Sequence, residues 1–314
     1  MTKYIFITGG VISGLGKGVT SASIGNLLKS QGFSVYPLKL DPYLNLDPGL
    51  LSPIEHGETF ITKDGWKCDL DLGHYERFID AELNKNSNYS SGRIFQDLFQ
   101  KEQNGDFHGS TIQIVPHVTN HIIEILENTA KENKPDFILT EIGGTVGDIE
   151  SRAHIYAISQ FALEHPGQVL FVHIAFVPYL TASKEYKSKP SQFSIAELRS
   201  FGINPNLLLL RSSGEIDKSI VSKVAKTSFL NPENVISVPD TSNIYEIPLY
   251  LYSNKLLDKI YKHFQLTSPI NPKALTKWKS FVNKYNNLDS TQLNLLLIGK
   301  MLFWKMLIYQ RLLL

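Results

Sequence analysis

The run Gly9-Gly10-Val11-Ile12-Ser13-Gly14-Leu15-Gly16-Lys17-Gly18 constrains this chain more than any other part of it. It follows the apolar stretch Tyr4–Ile7 and precedes a helix-like segment, Val19–Ser30. Strand, glycine-rich loop and helix in that order make a phosphate cradle. Glycines let backbone N–H groups approach an anion, and a helix N-terminus adds positive potential. Lys17 reaches a terminal phosphate as a point charge. The spacing departs from G-x-x-x-x-G-K-[ST]. From Gly10 to Gly16 the loop is one residue longer, and Gly18 stands where Ser or Thr would hold magnesium. A glycine-rich turn without a ligand is the alternative.

Short apolar runs at Tyr4–Thr8, Ser34–Leu40, Phe137–Thr140, Val169–Ala175, Leu207–Arg211 and Val235–Val238 read as buried parallel strands. Helix-length stretches separate them, at Val19–Ser30, Ile94–Gln103, His117–Glu132, Arg152–His165, Ser194–Phe201, Ser219–Ser228 and Leu249–Phe264. That alternation predicts an α/β fold with a doubly wound, mainly parallel sheet and flanking helices, of the P-loop-like nucleotide-binding kind. A hydrophobic share of 42% supports a substantial core, and a net charge of +1 gives no global pull toward nucleic acid or an anionic membrane. Cys68 is the only cysteine, which fits a reducing compartment. The chain enters a strand at once, so no signal peptide is expected, and Lys300, Lys305 and Arg311 interrupt the apolar C-terminal stretch, so no membrane span is expected. A cytoplasmic protein follows.

Four further segments carry chemistry. Lys39-Leu40-Asp41-Pro42 begins at the C-terminal end of the second strand, where open α/β sheets place ligands. Asp69-Leu70-Asp71 on an extended segment would put both carboxylates on one face, suited to magnesium shared with phosphates. Glu141, at the tip of the strand Phe137–Thr140, suits the same ion, and Asp148 and Glu150 either accept from a ligand or cap the following helix. Lys184–Gln192 is basic and rich in hydroxyls, as a triphosphate requires; a solvated charge run is the alternative. Lys223 reads as a surface lysine, and Cys68 as a buried inert thiol.

Taken together these segments resemble the amidoligase domain of the CTP synthase family. The resemblance rests on Ile12–Gly18, Lys39–Gly49, residues 52–58, Asp69–Arg77, Gly92-Arg93-Ile94, Glu141–Ser151, Lys187–Gln192 and Ile244–Pro248, and covers residues 1 to 300. It implies a ligase that phosphorylates O4 of UTP with ATP, then aminates C4 with ammonia to give CTP. It implies catalytic Lys17 and Lys39, and ATP contacts at Gly14, Leu15, Gly16, Lys17, Gly18, Val19, Asp71, Pro239, Asp240 and Thr241. UTP and CTP contacts would be Ser13, Asp148, Ile149, Glu150, Lys187, Ser188, Lys189, Pro190, Ser191, Gln192 and Lys223, with magnesium on Asp71 and Glu141. The family likeness further implies feedback inhibition by CTP and a homotetramer, with no nucleic acid or membrane partner.

It also implies three parts: an amidoligase domain at 1–266, a linker at 267–290, and at 291–314 the first strand of a glutaminase domain followed by an aberrant tail. The residues Leu295–Lys300 match that strand, and the match stops at Met301. The family's glutaminase domain uses a nucleophilic Cys, and nothing here replaces it. Ile54 stands where many members carry tyrosine. The expectation is a truncated, ammonia-dependent CTP synthase. The rivals are an inactive nucleotide-binding remnant that still forms tetramers, and a partition-type ATPase, which would not need a second nucleotide pocket.

Overall fold

The structure is a computed structural model that describes residues 1–287 other than 53, 55 and 56. The chain divides into two compact units, Met1–Thr276 and Lys277–Leu314. The first unit is built on a seven-stranded sheet of β1 (Lys3–Gly10), β2 (Val35–Asp41), β5 (Asn88–Ser90), β6 (Phe137–Ile142), β7 (Val169–Phe176), β10 (Leu207–Ser212) and β11 (Val235–Pro239). Two short antiparallel ribbons pair β3 (Thr59–Ile61) with β4 (Lys67–Asp69), and β8 (Tyr179–Leu180) with β9 (Glu185–Tyr186).

The large sheet has the order β11-β10-β7-β1-β6-β2-β5, and every neighbouring pair is parallel. β1 lies at its centre, so winding reverses there. The expected doubly wound parallel fold is present. Parallel strands need crossovers that cover both faces, and the helices supply them. They are α1 (Lys17–Ser30), α2 (Asp71–Ile79), α3 (Ser91–Gln103), α4 (Thr119–Asn133), α5 (Arg152–Glu164), α6 (Lys189–Ser200), α7 (Lys218–Thr227), α8 (Ile247–Ser253) and α9 (Leu256–Phe264).

The strand period of two decides which face each apolar residue serves. Tyr4 and Phe6 of β1, Leu38 and Leu40 of β2, and Ile138 and Ile142 of β6 join a core closed by α3, α4, α5 and α6. The opposite face receives α1, which packs against α2 and α8. A second cluster, with Ala175, Leu208 and Leu210 under Val224 and Ala225, seats α7.

Three sequence expectations are corrected. The segment Asp69-Leu70-Asp71 is not extended throughout: β4 ends at Asp69 and α2 starts at Asp71, whose N–H is held by Asp69 Oδ1 at 2.9 Å. That carboxylate occupies an orphan donor of the new helix, a capping role that extended reading missed. Helix α6 begins at Lys189 rather than Ser194, because Pro190 suits a first turn. The single helix expected over Leu249–Phe264 is two, parted where Lys255 adopts φ 59°. Helix α10 (Thr276–Asn286) lies inside the expected linker. The expected strand and tail at 291–314 lie outside the described residues.

Candidate active site

The loop from β1 to α1 takes a strained path. Val11 lies at φ 82°, which a β-branched residue enters at a cost, and Gly16 reaches 79° immediately before the helix. No side chain caps α1. Its first N–H groups are therefore open to an anion. Lys17 is buried, and its Nζ donates to the Gly144 carbonyl at 2.6 Å in the loop that leaves β6.

A pocket of about 160 Å³ opens beside this loop. Gly14, Leu15, Gly16, Val19 and Thr20 line it on one side, and Arg211, Val238, Asp240, Thr241, Ile244 and Ile247 on the other. Arg211 fixes that second wall. It donates to the carbonyls of Val238 at 3.1 Å and Pro239 at 2.9 Å, and pairs with Asp240 at 2.6 Å. The structure thus gathers most of the residues expected around ATP, although they lie more than two hundred positions apart.

Behind the loop stands an ionic cluster around Lys39, which is 4% exposed at the end of β2. Its ammonium donates to Asp71, and to Glu141 at 2.8 Å, with Asp41 at 3.7 Å and Asp69 at 4.0 Å. Tyr75 of α2 donates its hydroxyl to the other oxygen of Glu141. Asn88 of β5 donates to Asp41 at 2.8 Å. Parallel pairing places Lys39 opposite Glu141 and Asn88, so backbone register alone brings these side chains together.

Burial by itself would discharge Lys39, but Asp71, Glu141, Asp69 and Asp41 overcome it and hold its pKa well above the ordinary value. Burial also lifts Glu141 and Asp69, and pushes Asp41 up to about 7 against the pull of Lys39. Asp71 ends below its usual value because the Lys39 ammonium outweighs its burial. Burial draws Lys17 down, with Glu141 opposing. Four carboxylates therefore face two ammonium groups, and negative charge is in excess.

That excess suits a hard divalent cation shared with phosphate oxygens. Among the described residues no three Asp, Glu, His or Cys side chains form a self-sufficient metal cage. Magnesium does not require one, since it binds one or two carboxylates and completes its shell with water and phosphate. The unusual Gly18 has its explanation here. A Cβ at that position would lie 1.8 Å from Asp71 Oδ1. Where the standard loop offers a hydroxyl, this one leaves room for a carboxylate, and the donor set fits magnesium.

The residues expected around the pyrimidine nucleotide are arranged differently. Ser13, Asp148, Ile149, Glu150 and Lys223 are exposed, and none of them lines the pocket beside the phosphate loop. Asp148 does not cap α5; its carboxylate accepts from Thr145 N at 3.0 Å and closes its own loop. Lys187 pairs with Glu185. Ser191 donates to the Phe176 carbonyl at 2.7 Å, and Gln192 donates to Ser188 Oγ at 3.0 Å. Lys189 lies over the Phe193 ring at 5.7 Å, and Pro190 sits in the first turn of α6. These residues present backbone and charge at the first turn of α6, while Lys223 sits apart on α7.

Sequence reasoning missed Asp41, Tyr75, Asn88 and Arg211. Asp41 was accessible, since it lies two residues after Lys39 on the same strand face. Tyr75, Asn88 and Arg211 offer no local signal. Cys68 is buried, and burial with Asp69 beside it pushes its thiol up to about 12, as an inert thiol requires.

Comparison with known proteins matches this arrangement to a family. The family model described as the CTP synthase N-terminus matches residues 3–266. A CTP synthase of Mycoplasmopsis pulmonis is 55% identical over 300 residues, which are 96% of this chain and 55% of that protein. The CTP synthases of Symbiobacterium thermophilum and Listeria monocytogenes are 46% and 44% identical over 302 and 301 residues, 96% of this chain and 55% and 56% of their own length. The chain spans about half the length of the curated relatives it matches. With a P-loop-like parallel sheet and a match across nearly all of the first compact unit, the chain belongs to the CTP synthase N-terminal family.

Proposed function

We propose that this chain is a ligase that aminates UTP to CTP with ATP, using ammonia as the nitrogen donor. The observation that carries this reading is the buried ammonium of Lys39, set among Asp41, Asp69, Asp71 and Glu141 beside an uncapped helix N-terminus. Such a site holds and neutralises a transferring phosphoryl group.

In this reading the loop 14–19 and Lys17 hold the ATP phosphates, and Lys17 exchanges the Gly144 carbonyl for phosphate oxygen. Asp240, Thr241 and Pro239 border the adenine. O4 of UTP attacks the γ-phosphorus and ADP leaves. Ammonia adds at C4, inorganic phosphate departs, and loss of a proton gives CTP. Lys39 offsets the negative charge that passes through O4. Asp71 and Glu141 would hold magnesium, which supplies charge neutralisation to the phosphate oxygens. Ser13, the loop 148–150, Lys187–Gln192 and Lys223 contact the pyrimidine nucleotide, as substrate or as inhibitory CTP, and their dispersal fits completion of that site in a homotetramer.

Among the described residues no helix is long and apolar enough to cross a membrane. The only thiol in these 314 residues is the buried one of Cys68, so these residues offer no exposed cysteine to release ammonia from glutamine, which supports ammonia as the donor for this chain. The test is CTP formation by the purified chain with ATP, magnesium and UTP, given ammonium or glutamine. CTP from ammonium alone is expected. No CTP from either, with nucleotide binding retained, leaves an inactive remnant. ATP hydrolysis without UTP binding leaves a simple ATPase.

A further inference from the structure

His173 is a polar residue inside the apolar strand β7, fully buried beneath the phosphate loop. Its two ring nitrogens are both engaged. Nδ1 lies 2.9 Å from Thr8 Oγ1 on β1, and Nε2 lies 2.7 Å from Ser194 Oγ on α6. Burial, with Lys17 nearby, draws its pKa down to about 3, so the ring is neutral and one hydroxyl donates while the other accepts.

The partners define what the ring joins. Thr8 lies on the strand that runs directly into the phosphate loop, and Ser194 lies one turn after Lys189–Gln192. The contact between these two elements is closer still at Gly10. A Cβ there would sit 1.7 Å from Ser194 Oγ. Helix α6 therefore rests on the backbone that opens the loop, and the imidazole fixes its height with a hydrogen bond at each end. Ser191 adds a third tie, to the Phe176 carbonyl on the same strand as His173. A packing role alone would be served by an apolar residue, as at the neighbouring positions Val172 and Ile174. A doubly bonded neutral imidazole instead specifies distance and direction.

We infer that the Thr8–His173–Ser194 bridge is a positioning device that sets the first turn of α6, and with it the pyrimidine nucleotide's phosphate contacts, at a fixed distance from the ATP phosphate loop. The inference rests on the proposed assignment of Lys187–Gln192 to UTP. Breaking the bridge lets α6 drift while β1 and α1 keep the loop, so UTP binding suffers and ATP binding does not.

The test is calorimetric titration of the purified full chain, with magnesium, by UTP and separately by a non-hydrolysable ATP analogue. Thr8→Val keeps shape and removes the hydroxyl; Thr8→Ser keeps the hydroxyl. Thr8→Val and Ser194→Ala are expected to weaken UTP about 10-fold and the ATP analogue less than about 2-fold, with Thr8→Ser close to wild type. Equal losses for both nucleotides, losses in Thr8→Ser that match its drop in melting temperature, or unchanged UTP binding in Thr8→Val would overturn the inference. Wild-type chain that binds the ATP analogue but not UTP overturns the functional reading first, and the inference with it.

Discussion

The region proposed to face ATP and the region proposed to face the pyrimidine nucleotide are finished to different degrees. Around the phosphate loop, elements distant in sequence converge into a pocket with Arg211 bracing one wall and a buried charge cluster behind it. Around the proposed pyrimidine contacts, Ser13, Ile149, Glu150 and Lys223 are exposed, Asp148 and Lys187 bond within their own segments, and Ser191 is tied to β7. Parallel register explains part of the first, because it aligns the ends of β2, β5 and β6 and so sets Lys39 beside Glu141 and Asp41 beside Asn88. The second depends on loops and a helix terminus, where one chain supplies position but not enclosure.

The strongest way to break this contrast is at Lys39. Lys39→Ala leaves four buried or half-buried carboxylates without their central ammonium. Removing one partner of a buried ion pair costs about 3–5 kcal/mol. Thermal unfolding should fall accordingly, and CTP formation should drop by about 10³-fold or more if charge stabilisation is the site's main contribution. Equal activity in this variant would mean that the cluster is structural only.

Gly18→Ala tests the ATP side alone. The added methyl displaces Asp71, so ATP should bind about 10-fold more weakly or worse while UTP binding holds, as read by separate titrations; a 10-fold change is about 1.4 kcal/mol.

Acid acts on both sides. His173 sits under the loop, and His154 at the start of α5, drawn to about 4 by burial with partial offset from the Glu150 backbone. Both folded values lie below the unfolded value near ~6.5. The unfolded chain therefore binds more protons, and stability is fully present above about pH 6.5 and lost as pH falls toward 4. Each histidine contributes up to ~1.4 kcal/mol per pH unit in that window. Neither ring nitrogen of His154 makes a full hydrogen bond, so His154→Leu should flatten the acid slope of the melting temperature without loss at pH 8. An unchanged slope would contradict the assignment.

The smallest effect is expected at Asp240. Its pair with Arg211 is 62% exposed on the carboxylate side. Exposed pairs contribute less than ~1 kcal/mol, so Asp240→Ala should raise the ATP half-saturation by about 3-fold, leave that of UTP unchanged, and barely move the melting temperature.

The central strands were legible because β-branched and aromatic residues buried on both faces leave few alternatives. β5 was not, since Asn88-Tyr89-Ser90 is short and polar and sits at the sheet edge. The carboxylates Asp71 and Glu141 were identified, yet Asp71 was placed on a strand because Asp-Leu-Asp alternation has the right period for one. The deviant Gly18 was visible as an oddity, but its reason lies in a residue fifty-three positions away. His173 carried a signal in its isolation within an apolar run, although its partners are set by topology.

The central claim is that this site transfers a phosphoryl group to O4 of UTP before ammonia enters. The most direct measurement supplies UTP labelled with ¹⁸O at O4, together with ATP, magnesium and ammonium, and follows the label by mass spectrometry. The account predicts one ¹⁸O in each inorganic phosphate released per CTP formed. CTP accompanied by unlabelled phosphate, with the label in water, would contradict it.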